Sequence, residues 1–291
     1  MLRYALLAAA LLTLPALAAK ATPAEQWKAS LKEADAAYAT DKHAILKIDD
    51  AAYIHTGEFV SLMGDAKKPE SWHWAKGRQS GAALTAGFED GKAVLARRGN
   101  LVPAGALAKG IEIVPGIDVA GAPTQMAPGE TGLRIMVYNQ QNKAAKAFKG
   151  LDYFPYDPAW RLTAAFKPDP KFAPHVFRTS RGLDKQFYHE GDAVFTLQGK
   201  HIALPLYGDT PGKAASMTSF FTDRLTGKGA YHSGRYVDVE PFGKFPPATV
   251  ILDFNNAYNP NCARSPFYNC PFAVDYIPLA VTAGEKDPHA H

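Results

Sequence analysis

The spacing of apolar residues changes twice along the chain. A mostly apolar run from Tyr4 to Leu14 follows the basic start Met1-Leu2-Arg3 and gives way to Pro15-Ala16-Leu17-Ala18. The run falls short of the roughly 20 residues that cross a bilayer. With small residues at the positions a signal peptidase inspects, it predicts a secretory signal peptide over residues 1–18. The expected product is a soluble periplasmic or secreted protein with no membrane anchor after cleavage.

Helical spacing comes next. Thr22-Pro23-Ala24-Glu25 combines a capping residue, a proline at the first helical position and a glutamate three residues past the cap. Trp27, Leu31, Ala34 and Tyr38 then recur on one face, which predicts a helix to about Ala39 whose apolar stripe packs on the segment that follows. Beyond Ala44 the helical period disappears, and short apolar or alternating runs take over. Strands are predicted at 71–76, 83–88, 93–97, 111–114, 133–138, 161–166, 175–179, 193–197, 201–207, 219–222, 235–239 and 249–254. Glu89-Asp90-Gly91-Lys92, Gln198-Gly199-Lys200 and Thr226-Gly227-Lys228-Gly229 read as tight turns, because glycine adopts the positive backbone angle a hairpin requires.

The fold expected is mainly β, a sandwich or barrel of short antiparallel strands with one N-terminal helix. The 24 glycines and 22 prolines fit many short strands better than long helices. Gly99 to Gly132, rich in glycine, proline and alanine, is read as loop or a loosely paired subdomain, and 139–157 as low structure with a helical turn near Lys143 to Phe148. A soft boundary near Gly150 separates an N-terminal helix plus β-rich subdomain (19–150) from a C-terminal β-domain (151–285). A disordered tail (286–291) follows.

Charge narrows the partners. A net +4 over 291 residues, with both signs interspersed, lacks the concentrated positive field that phosphate binding demands, so nucleic acid is not an expected partner. No motif predicts a cofactor or a metal. Ser180, Ser216, Ser219, Ser233 and Ser265 lack the glycine context of a nucleophile elbow.

Chemistry concentrates near the C-terminus. Cys262 and Cys270, the only cysteines, close a loop of nine residues, and export favours a disulfide worth roughly 2.5 kcal/mol on the chain-entropy model. The alternatives are a metal site or free, redox-competent thiols, although the spacing is too wide for a paired-cysteine zinc knuckle or a two-residue redox motif. Asp223, Arg235 and Asp253 stand at or beside predicted strand ends among apolar neighbours, where an unpaired charge is costly. Arg235 is expected to pair with Asp223 or Asp253, or else to clamp an anionic ligand while an aspartate acts as acid, base or orienting group. Tyr231, Tyr236 and Tyr258 offer hydroxyls and aromatic walls. Asn255, Asn256 and Asn259 hold tight turns or, with Asp253, give a ring of oxygen ligands for calcium, although the acidic spacing of known calcium loops is missing. The binding candidates are thus Asp223, Tyr231, Arg235, Asp253, Asn255, Tyr258 and Asn259.

Phe220-Phe221-Thr222-Asp223, Gly234-Arg235-Tyr236, Asp253-Phe254-Asn255, Ala257-Tyr258-Asn259-Pro260, Cys262, Cys270-Pro271 and Ala283-Gly284-Glu285, with Tyr153-Phe154-Pro155-Tyr156-Asp157-Pro158 upstream, resemble the bacterial family called domain of unknown function 1684. The resemblance implies a shared fold and a shared polar centre, and it brings no activity with it. Two function classes follow. One is an exported module that binds a small polar or anionic ligand, or a protein partner, at the C-terminal polar centre. The other is a hydrolase-like periplasmic enzyme that uses Asp223, Asp253 and Arg235. They differ in exposure: an enzyme needs a carboxylate in an open concavity, and a structural motif buries the set with its hydrogen bonds satisfied.

Overall fold

The computed structural model describes residues 21–240 and 242–289, so the expected signal peptide lies outside the described residues. The chain begins with α1 (Pro23–Asp35), capped by Thr22 and Glu25 in the reciprocal arrangement the sequence predicts and extended by a wider helical turn, Ala36–Thr40. Its stripe does not pack on the strands that follow. Trp27 lies against Tyr153 and Tyr156 and donates its indole N–H to the Asn255 carbonyl at 2.9 Å, and Tyr38 stacks on Phe148. Trp27 therefore ties helix α1 to the C-terminal half, through the Tyr153 and Tyr156 rings and the Asn255 carbonyl.

Nine strands form the N-terminal unit: β1 (Ile48–Ile54), β2 (Phe59–Asp65), β3 (Lys68–Lys76), β4 (Leu84–Glu89), β5 (Lys92–Arg97), β6 (Asn100–Val102), β7 (Ile111–Val114), β8 (Ile117–Ala127) and β9 (Glu130–Asn139). They make two sheets, ordered β1-β9-β8-β7 and β3-β2-β4-β5-β6. Leu62, Leu84, Phe88 and Leu95 of one sheet and Leu133, Ile135, Val137 and Val119 of the other share a single core, the arrangement of a β-sandwich. Most of Gly99–Gly132 is thus paired strand. Strand β8 carries small residues for a reason visible at Gly121, where an added Cβ would come within 2.5 Å of the Arg134 carbonyl on β9. Pro123 is tolerated because β7 pairs only with residues 117–119 of β8, leaving the far edge free of β7 at that point.

The C-terminal unit contains β10 (Arg161–Pro168), β11 (Pro174–Phe177), β12 (Lys185–Leu197), β13 (Lys200–Gly208), β14 (Thr218–Thr222), β15 (Arg235–Asp238), β16 (Thr249–Asp253) and β17 (Asp275–Tyr276). The order β15-β14-β13-β12-β10-β16 curls on itself. Its ends meet where Val239 bridges Leu252 and the Glu240 N–H donates to the Ile251 carbonyl at 3.0 Å. Alternate residues point inward, so Phe166, Phe195, Leu204, Leu206, Phe221, Val237, Val250 and Leu252 fill the curl. Strand β11 adds to the outside of β12 and β17 runs parallel to β14. The mainly antiparallel β architecture is the one the alternating pattern predicts. No helix among the described residues is long and apolar enough to cross a membrane.

The two units touch through the loop between the cysteines. Phe267 and Tyr268 pack on Ile48, Met136 and Tyr138, and the Tyr53 hydroxyl donates to the Phe267 carbonyl at 3.0 Å. After β17 the chain closes the curl, with Arg224 N–H bonded to the Leu279 carbonyl and Glu285 N–H to the Ala257 carbonyl. The segment expected to be disordered from 286 is held as far as His289, which bonds the Ala263 carbonyl through its imidazole at 3.0 Å; Lys286 donates its backbone N–H to the Asp152 carbonyl at 2.8 Å.

Candidate functional site

The expected centre divides in two. In the first part Arg235, on β15, is 1% exposed and donates to Asp223 Oδ2 at 2.6 Å and to the carbonyls of Val281, Ala283 and Glu285. The Phe221 ring lies 5.4 Å from its guanidinium carbon. Asp223 spends its other oxygen on the backbone N–H groups of Leu225 at 2.7 Å and Thr226 at 3.0 Å, which fixes the turn after β14. Burial lowers the Arg235 pKa, and the Asp223 charge opposes that shift. Both terminal nitrogens of Arg235 and both carboxylate oxygens of Asp223 are engaged within the fold. The geometry is that of a structural clamp on the 281–285 segment, and the idea of Arg235 gripping an anionic ligand does not fit it.

A second buried acid adjoins the clamp. Glu285 is fully buried and accepts the Asn259 backbone N–H at 2.8 Å and the Arg264 guanidinium at 3.0 Å. Burial raises its pKa above the usual carboxylate range. Gly284 beside it has φ +80, and a Cβ there would meet the Ala257 carbonyl oxygen at 2.6 Å, so only glycine lets the segment enter. Asn259 donates its amide to the Lys286 carbonyl at 2.7 Å, while its own side-chain oxygen is buried without a partner. Tyr231 packs on His232, and Tyr258 packs edge-on to Tyr236 with its hydroxyl donating to Asp238 at 3.2 Å.

The other part borders a cleft, although Asp253 and Asn255 are themselves buried. Asp253 ends β16, and its Oδ1 accepts both the backbone N–H of Asn255 at 3.0 Å and that residue's side-chain amide at 2.8 Å. Among the described residues its Oδ2 has only Arg161 Nε at 3.9 Å, too far for a hydrogen bond. Arg161 is committed elsewhere, gripping Glu240 with two bonds of 2.9 and 2.7 Å. Asp253, Arg161, Glu240 and Asn256 form one wall of a cleft of about 260 Å³, and Gln26, Trp27 and Ser30 of α1 form the other. Burial first, and then the nearby Glu240 charge, raise the Asp253 pKa, with the Asn255 bonds pulling the other way. Two carboxylates face one guanidinium, beside an indole ring.

Asp223 and Arg235 are therefore together, as are Asp253 and Asn255, but a layer of aromatic rings separates the sets: Phe221, under Arg235, meets Phe254 edge-on with centroids 5.5 Å apart. The expected disulfide is absent, since Cys262 and Cys270 are both free. The Cys262 backbone N–H points at Cys270 Sγ from 3.3 Å, so the sulfur serves as a hydrogen-bond acceptor. Sequence reasoning missed Arg161, Glu240, Arg264 and the role of α1. Arg161 and Glu240 sit on different strands 79 residues apart, and no local pattern marks such a pair. Glu285 lay within a motif already singled out, and its fixed place beside Gly284 was a usable signal.

No curated protein matches the chain. Among solved structures it is similar to the solution NMR structure of an uncharacterized protein of Haloarcula marismortui, at 29% identity and a TM-score of 0.43, over 51% of this chain and 82% of that one. Residues 146–286, which contain the Arg235–Asp223 clamp and the Asp253, Arg161 and Glu240 wall of the cleft but not α1, match the model of the family described as protein of unknown function, DUF1684.

Proposed function

We propose that this is an exported binding protein that takes a small neutral or cationic polar ligand in the cleft between α1 and the C-terminal curl. The observation that carries the reading is the unspent Oδ2 of Asp253 in the cleft wall, while Oδ1 is anchored by Asn255. An acceptor oriented in advance and lacking a donor is what a ligand hydroxyl or ammonium satisfies. Trp27 supplies the apolar face against which a sugar or alkylamine lies, and Ser30, Gln26 and Asn256 offer additional polar groups. Two acids against one base make the cleft unfavourable for anions.

The test is a thermal-shift series on the full mature chain with neutral sugars and polyols, small amines, and anions such as inorganic phosphate. Stabilisation by a neutral or cationic compound is expected, and it should disappear in Asp253→Asn and Trp27→Ala. Stabilisation confined to anions, or unchanged by both substitutions, would remove the cleft from consideration. Export is tested by fractionating cells that express the full chain: a shortened mature protein outside the inner membrane is expected, and full-length protein retained in the cytoplasm would refute it.

A further inference from the structure

The paired cysteines take no part in the cleft, and their surroundings differ in an ordered way. Cys270 is 7% exposed, and its backbone is held at both polar groups: its N–H donates to the Ser180 hydroxyl at 3.1 Å and its carbonyl accepts the Ser180 N–H at 2.9 Å. Pro271 continues this pairing as a bridge to Thr179. Cys262 instead lies half-buried in the short turn Asn261–Ala263 after Pro260. The two are brought together by the fold, despite a sequence spacing wider than in paired-cysteine redox motifs. Among the described residues no group of three ligating side chains gathers round them.

We propose that Cys262 and Cys270 are a redox-active dithiol that exchanges with a low-molecular-weight disulfide, with Cys262 as the attacking thiol and Cys270 as the resolving one. The Cys262 thiolate attacks one sulfur of the external disulfide, whose S–S bond breaks and releases one thiolate that takes up a proton. Cys270 then loses its proton and attacks Cys262 Sγ in the mixed disulfide, releasing the second external thiol. Two protein thiols are oxidised and one disulfide is reduced, with two electrons and two protons transferred.

The electrostatics agree with this division of labour. A hydrogen bond from the Cys270 side chain, with help from Ser180 and the Cys262 backbone against the cost of burial, brings the Cys262 thiol down to about 7. Cys270 is pushed up, first by the same interaction with Cys262 and then by burial. A half-buried sulfur that ionises near neutrality beside a buried one that does not is the asymmetry an exchange pair requires. The loop they enclose carries Phe267 and Tyr268, which rest on the N-terminal sandwich, so oxidation closes the segment that joins the two units.

The experiment equilibrates the full mature chain in mixtures of reduced and oxidised glutathione, quenches with acid, and maps the thiols by mass. A single transition is expected in which both thiols disappear together with the loss of two hydrogens and no retained glutathione. In the reduced native protein, iodoacetamide should modify Cys262 about tenfold faster than Cys270, with a rate that rises through pH 7. Cys270→Ser should trap glutathione on Cys262, and Cys262→Ser should not react. The proposal is overturned if both thiols survive excess oxidised glutathione or if Cys270 is the faster to be alkylated. It fails equally if a bridge, once formed, resists excess reduced glutathione until the chain is unfolded. Alkylation mapping on the unsubstituted protein decides the order of reactivity even if a serine variant does not fold.

Discussion

Asp223 and Asp253 occupy matching places, each where a strand of the same curled sheet ends and each facing an arginine, yet they have opposite fates. Asp223 meets Arg235 at 2.6 Å with both its oxygens consumed, whereas Asp253, just as buried, has Arg161 only at 3.9 Å and lines a cleft. The difference lies in what else each arginine holds. Arg235 gives its remaining donors to carbonyls of the closing segment, so the pair is immobilised in the core. Arg161 is occupied by the two oxygens of Glu240, so Asp253 retains an unfilled oxygen. A strand-end acid beside an arginine is therefore not in itself a functional signal. What matters is how many of its acceptor sites the fold consumes.

The strongest way to break the comparison is Arg235→Ala. It leaves Asp223 charged and unpaired in the core and strands the carbonyls of the closing segment, which should cost about 3–5 kcal/mol. Urea unfolding measures the loss directly. A loss under about 1 kcal/mol would mean that the clamp is not what holds residues 281–285. The double variant Arg235→Met with Asp223→Leu should recover much of the stability, since breaking a buried pair costs more than replacing it.

Next in size is Trp27→Ala. Trp27 is half-buried, touches Tyr153 and Tyr156, and donates to the Asn255 carbonyl. Its truncation should destabilise the chain by about 2 kcal/mol, below the range for a fully buried tryptophan. If α1 were only an appendage, the unfolding midpoint would not move. The same variant removes one wall of the cleft, so it joins the helix to the binding reading as well as to the fold.

These contrasts also show what the letters of the sequence disclose. The capping box fixed α1 at its observed start because Thr22 and Glu25 satisfy each other's backbone groups locally. The turns at Asp90-Gly91 and Gln198-Gly199 appear with the positive φ angles their residues favour. The pairing of Arg235 with an aspartate followed from the cost of burying a lone charge. By contrast β1, β2, β6, β8 and β17 were not anticipated. In β8 the cause is physical: Gly121 and Pro123 answer to the approach of β9 and to a free edge, constraints set by a neighbouring strand and silent in local propensity. The cleft was hidden for the same reason, since Gln26, Arg161, Glu240 and Asp253 meet only after the sheet curls and α1 returns to it.

A third acid refines the contrast with a pH dependence. Asp275 on β17 has one buried oxygen with no partner, and its other oxygen meets the Tyr207 hydroxyl only at 3.4 Å. Burial pushes its pKa up to about 6. Because the folded value lies above the unfolded one, its contribution to stability is complete below about pH 4 and is lost as pH rises through 6. Asp275→Asn should remove that loss, so the variant gains on the parent between pH 4 and 6.5 in denaturant titrations. Parallel curves for the two proteins would show that the carboxyl stays ionised throughout.

The smallest effect expected on stability is at Asp253, and its smallness is the point. Asp253→Asn keeps an oxygen to accept both Asn255 donors and removes a charge whose folded-state pKa is raised, chiefly by burial. The sign follows from that direction: ionising Asp253 costs the folded state stability as pH rises above the usual carboxylate value, so the amide is expected to be neutral or slightly stabilising at pH 7 and to lose that advantage in acid. The change at neutral pH should stay within about 1 kcal/mol, and the ligand-induced shift should nevertheless vanish. Were the substitution to cost about 3 kcal/mol or more, as expected for a broken buried pair, Asp253 would be a second structural acid and the distinction between the two acids would collapse. A binding site set apart from the scaffold in this way resembles the usual exchange in which a group held ready for a ligand is held at some expense to the fold.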